Sequence, residues 1–88
     1  MCTMIAMSAA VSGAGKGTEG WFPLTQATVG YDHATHLTSE HALLVDFTNY
    51  AMGVDARVAV ELDLPSGRAL VAQLQAAIAA AEASEHAS

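Results

Sequence analysis

The chain has 88 residues, of which 52% are hydrophobic and 14% charged, a balance that describes one small domain with a core rather than a disordered tail or a multidomain enzyme. Lys16, Arg57 and Arg68 stand against nine acidic residues, giving a formal net charge of -6. No basic stripe can be assembled to neutralise phosphates, so nucleic acid and anionic membrane surfaces are poor partners.

A chain this short buries roughly 60–70% of its unfolded surface, and such domains often rest on a disulfide, a metal or another subunit. One cysteine, Cys2, rules out a disulfide within the chain. With so few charges to cover the outside, part of the surface must be apolar, which leads us to expect a homo-oligomer, most simply a two-fold homodimer. The apolar opening lacks the basic residue that a secretory signal carries ahead of its apolar stretch, since Lys16 comes after it. No apolar run reaches the ~18–20 residues of a membrane span, because Ser8, Gln73 and Gln75 interrupt the candidates. The expected compartment is a reducing cytoplasm with Cys2 a free thiol.

Residues 2–11 alternate as a strand, with Thr3, Ile5, Met7, Ala9 and Val11 on one face. Both faces are apolar or small, which suits a strand covered on both sides. Residues 12–20 hold four glycines and read as a mobile loop. A second strand is expected from about Leu24 to His33, with Thr25, Ala27, Val29, Tyr31 and His33 on one face and Pro23 at its entry. Residues 42–50 form a third strand that turns Leu43, Val45 and Phe47 inward and Leu44, Asp46 and Thr48 outward. After a turn at residues 53–55, residues 57–63 place Val58, Val60 and Leu62 inward and Arg57, Glu61 and Asp63 outward.

From Ser66 the period becomes helical, with Leu70, Val71, Leu74, Ala77, Ile78 and Ala81 on one stripe and alanine over much of the rest. Ser66 is the expected N-cap and Pro65 ends the preceding strand. Residues 84–88 should fray as a polar tail. The order β-β-β-β-α predicts a single α+β domain over residues 1–83, a four-stranded antiparallel sheet with one C-terminal helix packed on one face. One helix cannot cover two faces, which again points to a dimer.

The densest reactive cluster is Tyr31-Asp-His-Ala-Thr-His-Leu-Thr-Ser-Glu-His, which holds His33, His36 and His41 with Asp32 and Glu40. If strands two and three pair as a hairpin, His33 and His41 approach across its mouth, where facing Cβ atoms lie about 4.5–5.5 Å apart. Three imidazoles, or two with a carboxylate, suit zinc, iron, nickel or copper, and an open coordination position is what a catalytic metal needs. His33, His36 and His41 are therefore the candidate metal ligands, with Asp32 or Glu40 as a fourth ligand or outer partner. In an enzyme the metal would activate water, with Glu40 as the base. Strand parity puts His33 and His36 on opposite faces, so the chain must turn between them for both to reach one ion. The competing reading is a solvated hairpin loop with histidines bonded locally.

Cys2 is a candidate nucleophile or ligand if removal of Met1 exposes it, or else a small apolar residue of the first strand. The run Gly13-Ala-Gly-Lys-Gly-Thr lacks the first glycine and the final Ser or Thr of a phosphate loop, with Ala10 and Gly17 in those places. Trp21 and Phe22 either close the core or cap a pocket. Asp46, Glu61 and Asp63 read as a solvated sheet face, and the four methionines as packing filler.

The opening Met1-Cys2-Thr3, the Gly20-Trp21-Phe22 after Gly-Lys-Gly, Tyr31-Asp32-His33 followed by Glu40-His41, and Arg57-Val58-Ala59-Val60-Glu61 resemble a group of short uncharacterised bacterial proteins. The resemblance implies a stand-alone cytoplasmic protein and transfers no activity. Two functions follow from the residues: a homodimer that binds a transition metal or small molecule at the histidine-rich hairpin mouth, or a non-catalytic dimeric interaction module with no metal.

Overall fold

In the computed structural model, which describes residues 5–38 and 40–87, the chain runs through β1 (Ile5–Gly17), β2 (Gly20–His33), β3 (His41–Thr48), a short 3-10 turn (Tyr50–Met52), β4 (Arg57–Leu62) and α1 (Leu64–Ala87). The four strands form one antiparallel sheet in the order β1-β2-β3-β4. The fold is α+β, as the period change at the end of β4 indicates.

Register sorts the side chains cleanly. Ile5, Met7 and Ala9 of β1 stand on the same face as Ala27, Val29, Tyr31 and His33 of β2. That face continues through His41, Leu43, Val45 and Phe47 of β3 to Val58, Val60 and Leu62 of β4. Over these residues it carries no acidic residue, lysine or arginine; beyond the β1 bulge, Lys16 lies on the same side opposite Trp21. The opposite face carries Ser8, Thr28, Asp46, Arg57 and Glu61, and its polar groups bond across strands: Arg57 Nη2 lies 2.8 Å from Asp46 Oδ1, and the Ser8 and Thr28 hydroxyls are 3.0 Å apart. Gln26 also donates to Ser8.

Residues 12–20 depart from the expected loop. β1 continues to Gly17, a two-residue turn at Thr18 and Glu19 follows, and β2 begins at Gly20, whose φ of 114° is a conformation that glycine adopts without a Cβ penalty. Val11 and Ser12 together face one residue of β2, a bulge that bends β1. Past the bend Gly15 packs so closely that an added Cβ would lie 3.1 Å from Leu24 and 3.2 Å from Val58 on β4. Glycine here allows close packing rather than mobility. Phe22, Thr48 and Asn49 are buried at this end, with Asn49 donating 2.9 Å to the Pro23 carbonyl.

The helix starts one turn earlier than Ser66. Asp63 is its cap: Oδ1 accepts the Ser66 N–H at 2.8 Å, and the Ser66 side chain and then this N–H hold the Asp63 carboxyl below its usual range. Pro65 sits inside the first turn, where its missing N–H leaves no bond unmade. The helix continues to Ala87, through most of the segment expected to fray.

Among the described residues α1 packs on the sheet at this first turn. Gly67 is buried against Leu43 on the apolar face, where an added Cβ would sit 2.2 Å from Leu43 Cδ1. Beyond it the helix runs clear of the sheet, and Leu70, Val71, Leu74 and Ile78 are 43–55% exposed. The molecule is correspondingly long, 51 Å on its main axis, with a radius of gyration of 15.2 Å against about 12 Å for a compact chain of this length. The helix thus begins over the predicted face without covering it.

Candidate functional site

The hairpin mouth joins the end of β2 to the start of β3. His33 and His41 are direct cross-strand partners, as the sequence suggests. Their rings stack with centroids 4.7 Å apart and planes 27° apart, and Tyr31 stacks on His41 at 5.6 Å. The three rings form a short ladder at one end of the apolar face. Asp32 lies on the opposite face by register, and its Oδ1 accepts the His33 N–H at 2.7 Å. The loop is closed by the Ala34 N–H donating 3.1 Å to the Glu40 carbonyl, and Glu40 itself is exposed.

His36 goes elsewhere. Its ring Nδ1 lies 2.9 Å from Glu61 Oε2, on the sheet face opposite the His33–His41 ladder. The Glu61 carboxylate gathers the whole start of the loop, accepting the Thr35 hydroxyl at 2.5 Å, the His36 N–H at 2.9 Å and the Leu37 N–H at 3.2 Å. The Thr35 hydroxyl, then the His36 ring and then the His36 amide hold the Glu61 carboxyl down to about 2 from 4.5 against an opposing desolvation, with the Leu37 amide adding to them. No local pattern in the sequence marks Glu61 as this anchor, since its partners lie 24 to 26 residues away.

Of the candidate ligands, the fold brings His33 and His41 together and sets His36 apart. Among the described residues, no group of three His, Cys, Asp or Glu side chains is placed to hold a metal ion. Stacked imidazoles also present their in-plane lone pairs side by side, so convergence on one ion at about 2.0–2.1 Å requires rotation of at least one ring. Cys2 lies outside the described residues.

At the far end of the sheet, an open cleft of about 460 Å³ is walled by Trp21, Phe22, Met52 and Asp55. The paired aromatics divide the roles that the sequence left open: Phe22 is buried, and Trp21 is 71% exposed on the cleft wall. The loop that resembles a phosphate loop is a strand and tight turn, with no helix N-terminus behind it. Among the described residues no helix is long and apolar enough to cross a membrane.

The larger feature is the apolar face that the ladder borders. Val29 and Val60, in mid-sheet and on β4, are 38% and 37% exposed, and Met7 is 65% exposed. The accessible surface of the chain is 6718 Å², where a compact chain of its 9.0 kDa would expose about 4,900 Å². The excess is comparable to what a stable protein interface takes from each partner, about 800 Å² or more. No curated protein and no solved structure matches the chain. A family profile matches residues 1–87, and by that match the chain belongs to DUF6295, a family of unknown function.

Proposed function

We propose that this protein is a non-catalytic interaction module that works as a homodimer, built around the apolar sheet face and the bulky stripe of α1. One observation carries the reading: a single chain leaves both its apolar sheet face and its apolar helix stripe open to water. Contiguous apolar surface on this scale marks a contact with another macromolecule. The single cysteine and the absence of a basic patch suit a cytoplasmic setting without nucleic acid. Sedimentation velocity over a concentration series tests the reading. The expected result is a species of two chains, and a monomer at every concentration would overturn it.

A second reading rests on the stacked ladder of Tyr31, His41 and His33. These residues would bind a transition metal or a flat small molecule at the hairpin mouth, with Glu40 as the base if the site were catalytic. Titration with zinc or copper, followed by imidazole resonances, is expected to move His33 and His41 and to leave His36 in place. Zinc-induced movement of the His33 resonance that is the same in the wild type and in His41→Ala, or absent from both, would remove this reading.

A further inference from the structure

We infer that the dimer forms by reciprocal helix exchange: α1 of each copy lays Leu70, Val71, Leu74 and Ile78 across the apolar sheet face of the other. The inference rests on the homodimer reading and specifies what covers the open face.

The geometry makes self-coverage difficult. Asp63 alone links β4 to α1, and it is fixed at both its groups, with Oδ1 bound to the Ser66 N–H and its carbonyl accepting the Gly67 N–H at 2.9 Å. Gly67 seats the first turn on Leu43. With the exit direction set this way, the stripe that begins at Gly67 is carried off its own sheet.

A second copy supplies the matching surface twice. The exposed stripe and the exposed face belong to the same chain, and between the hairpin mouth and the β1 bulge the apolar face carries no acidic residue, lysine or arginine. A two-fold axis therefore pairs each stripe with the other chain's face in two identical contacts. The dimensions agree: Leu70 to Ile78 span about 12 Å along a helix, close to the roughly 14 Å between the outer strands of a four-stranded sheet. The surplus of exposed area over a compact monomer is enough for such an interface on each chain. A foreign partner would need to bring both a sheet-like and a helix-like apolar surface of its own.

The test uses wild-type protein, as a mixture of carbon-13-labelled and unlabelled chains studied by isotope-filtered nuclear Overhauser spectroscopy. The expected result is a set of intermolecular signals from the methyls of Leu74 and Ile78 to those of Val29, Val45 and Val60. A dimer whose intermolecular signals join β1 to β1 or helix to helix, with none from stripe to sheet, would overturn the exchange and leave the homodimer standing. Stripe-to-sheet signals confined to single chains would overturn the exchange as well. A monomer would remove both readings. In Ile78→Asp the intermolecular signals should be lost, while the cross-strand β2–β3 signals, such as Val29 to Val45, persist and report a folded sheet.

Discussion

The two faces of the sheet are finished in different ways. On the polar face the chain closes most of its own interactions, the buried Thr48 hydroxyl excepted: Asp46 takes Arg57, Ser8 takes Thr28 and Gln26, and Glu61 ties down the hairpin loop. On the apolar face one chain has too little to offer, and α1 makes contact at Gly67 and then departs. Polar groups can be satisfied by single partners within reach, whereas an apolar sheet face needs a whole layer laid over it. In an 88-residue chain with one helix, the economical source of that layer is another copy.

The largest effect expected is on this open side. Ile78→Asp would place an unpaired carboxylate in the helix–sheet contact, a cost of several kcal/mol that should weaken the dimer by roughly a hundredfold or more. Sedimentation equilibrium would read the change, and an unaltered association constant would show that the stripe is not in the interface. Asp63→Ala removes the cap and should cost about 0.5–2 kcal/mol in urea unfolding. It would also free the helix exit, so the same variant should broaden the Leu43 methyl signals.

The faces themselves were readable in the sequence. Strict alternation placed Val29 and Tyr31, Leu43, Val45 and Phe47, and Val58, Val60 and Leu62 on one face, and register agrees at every one of these positions. The same parity separated His33 from His36 and paired His33 with His41. What alternation cannot convey is distance. Four glycines between residues 12 and 20 read as a loop because glycine is usually a turn former, yet Gly15 serves a close approach to Leu24 and Val58 that exists only once the sheet is bent. Glu61 read as a solvated carboxylate because each strand-outward acid looks alike until the hairpin loop folds back to it. The cap was within reach of local reasoning, since an Asp followed by Leu-Pro-Ser fits a helix start with Pro in its first turn.

On the closed side the effects should be smaller and local. Glu61→Gln is expected to raise amide exchange at His36 and Leu37 while leaving the sheet intact, and unchanged exchange there would contradict the anchoring role. Because the folded Glu61 carboxyl lies near 2, below its ordinary 4.5, its contribution is fully present above about pH 4.5 and is lost as the pH falls toward 2. A pH titration of the His36 and Leu37 amide shifts should therefore show a midpoint well under 4.5 in the wild type and none from this group in Glu61→Gln.

The smallest effect is expected at the junction of the two regions. Gly67→Ala gains about 1 kcal/mol of helix propensity and displaces Leu43, whose Cδ1 occupies the space of the new methyl. An off-rotamer shift of that side chain costs about 0.5–1.5 kcal/mol, so thermal stability should stay within about 1 kcal/mol while the Leu43 methyl resonances move. A stationary Leu43 would place the helix start elsewhere.

The most direct measurement is a native mass spectrum of untagged protein prepared without chelator, which counts chains and bound mass together. A predominant two-chain ion is the expected result, and any added mass that disappears in acid would report a bound metal, to be located by comparison with His41→Ala. A single-chain ion alone, under conditions that keep a control dimer intact, would contradict the claim that a second copy closes the apolar face.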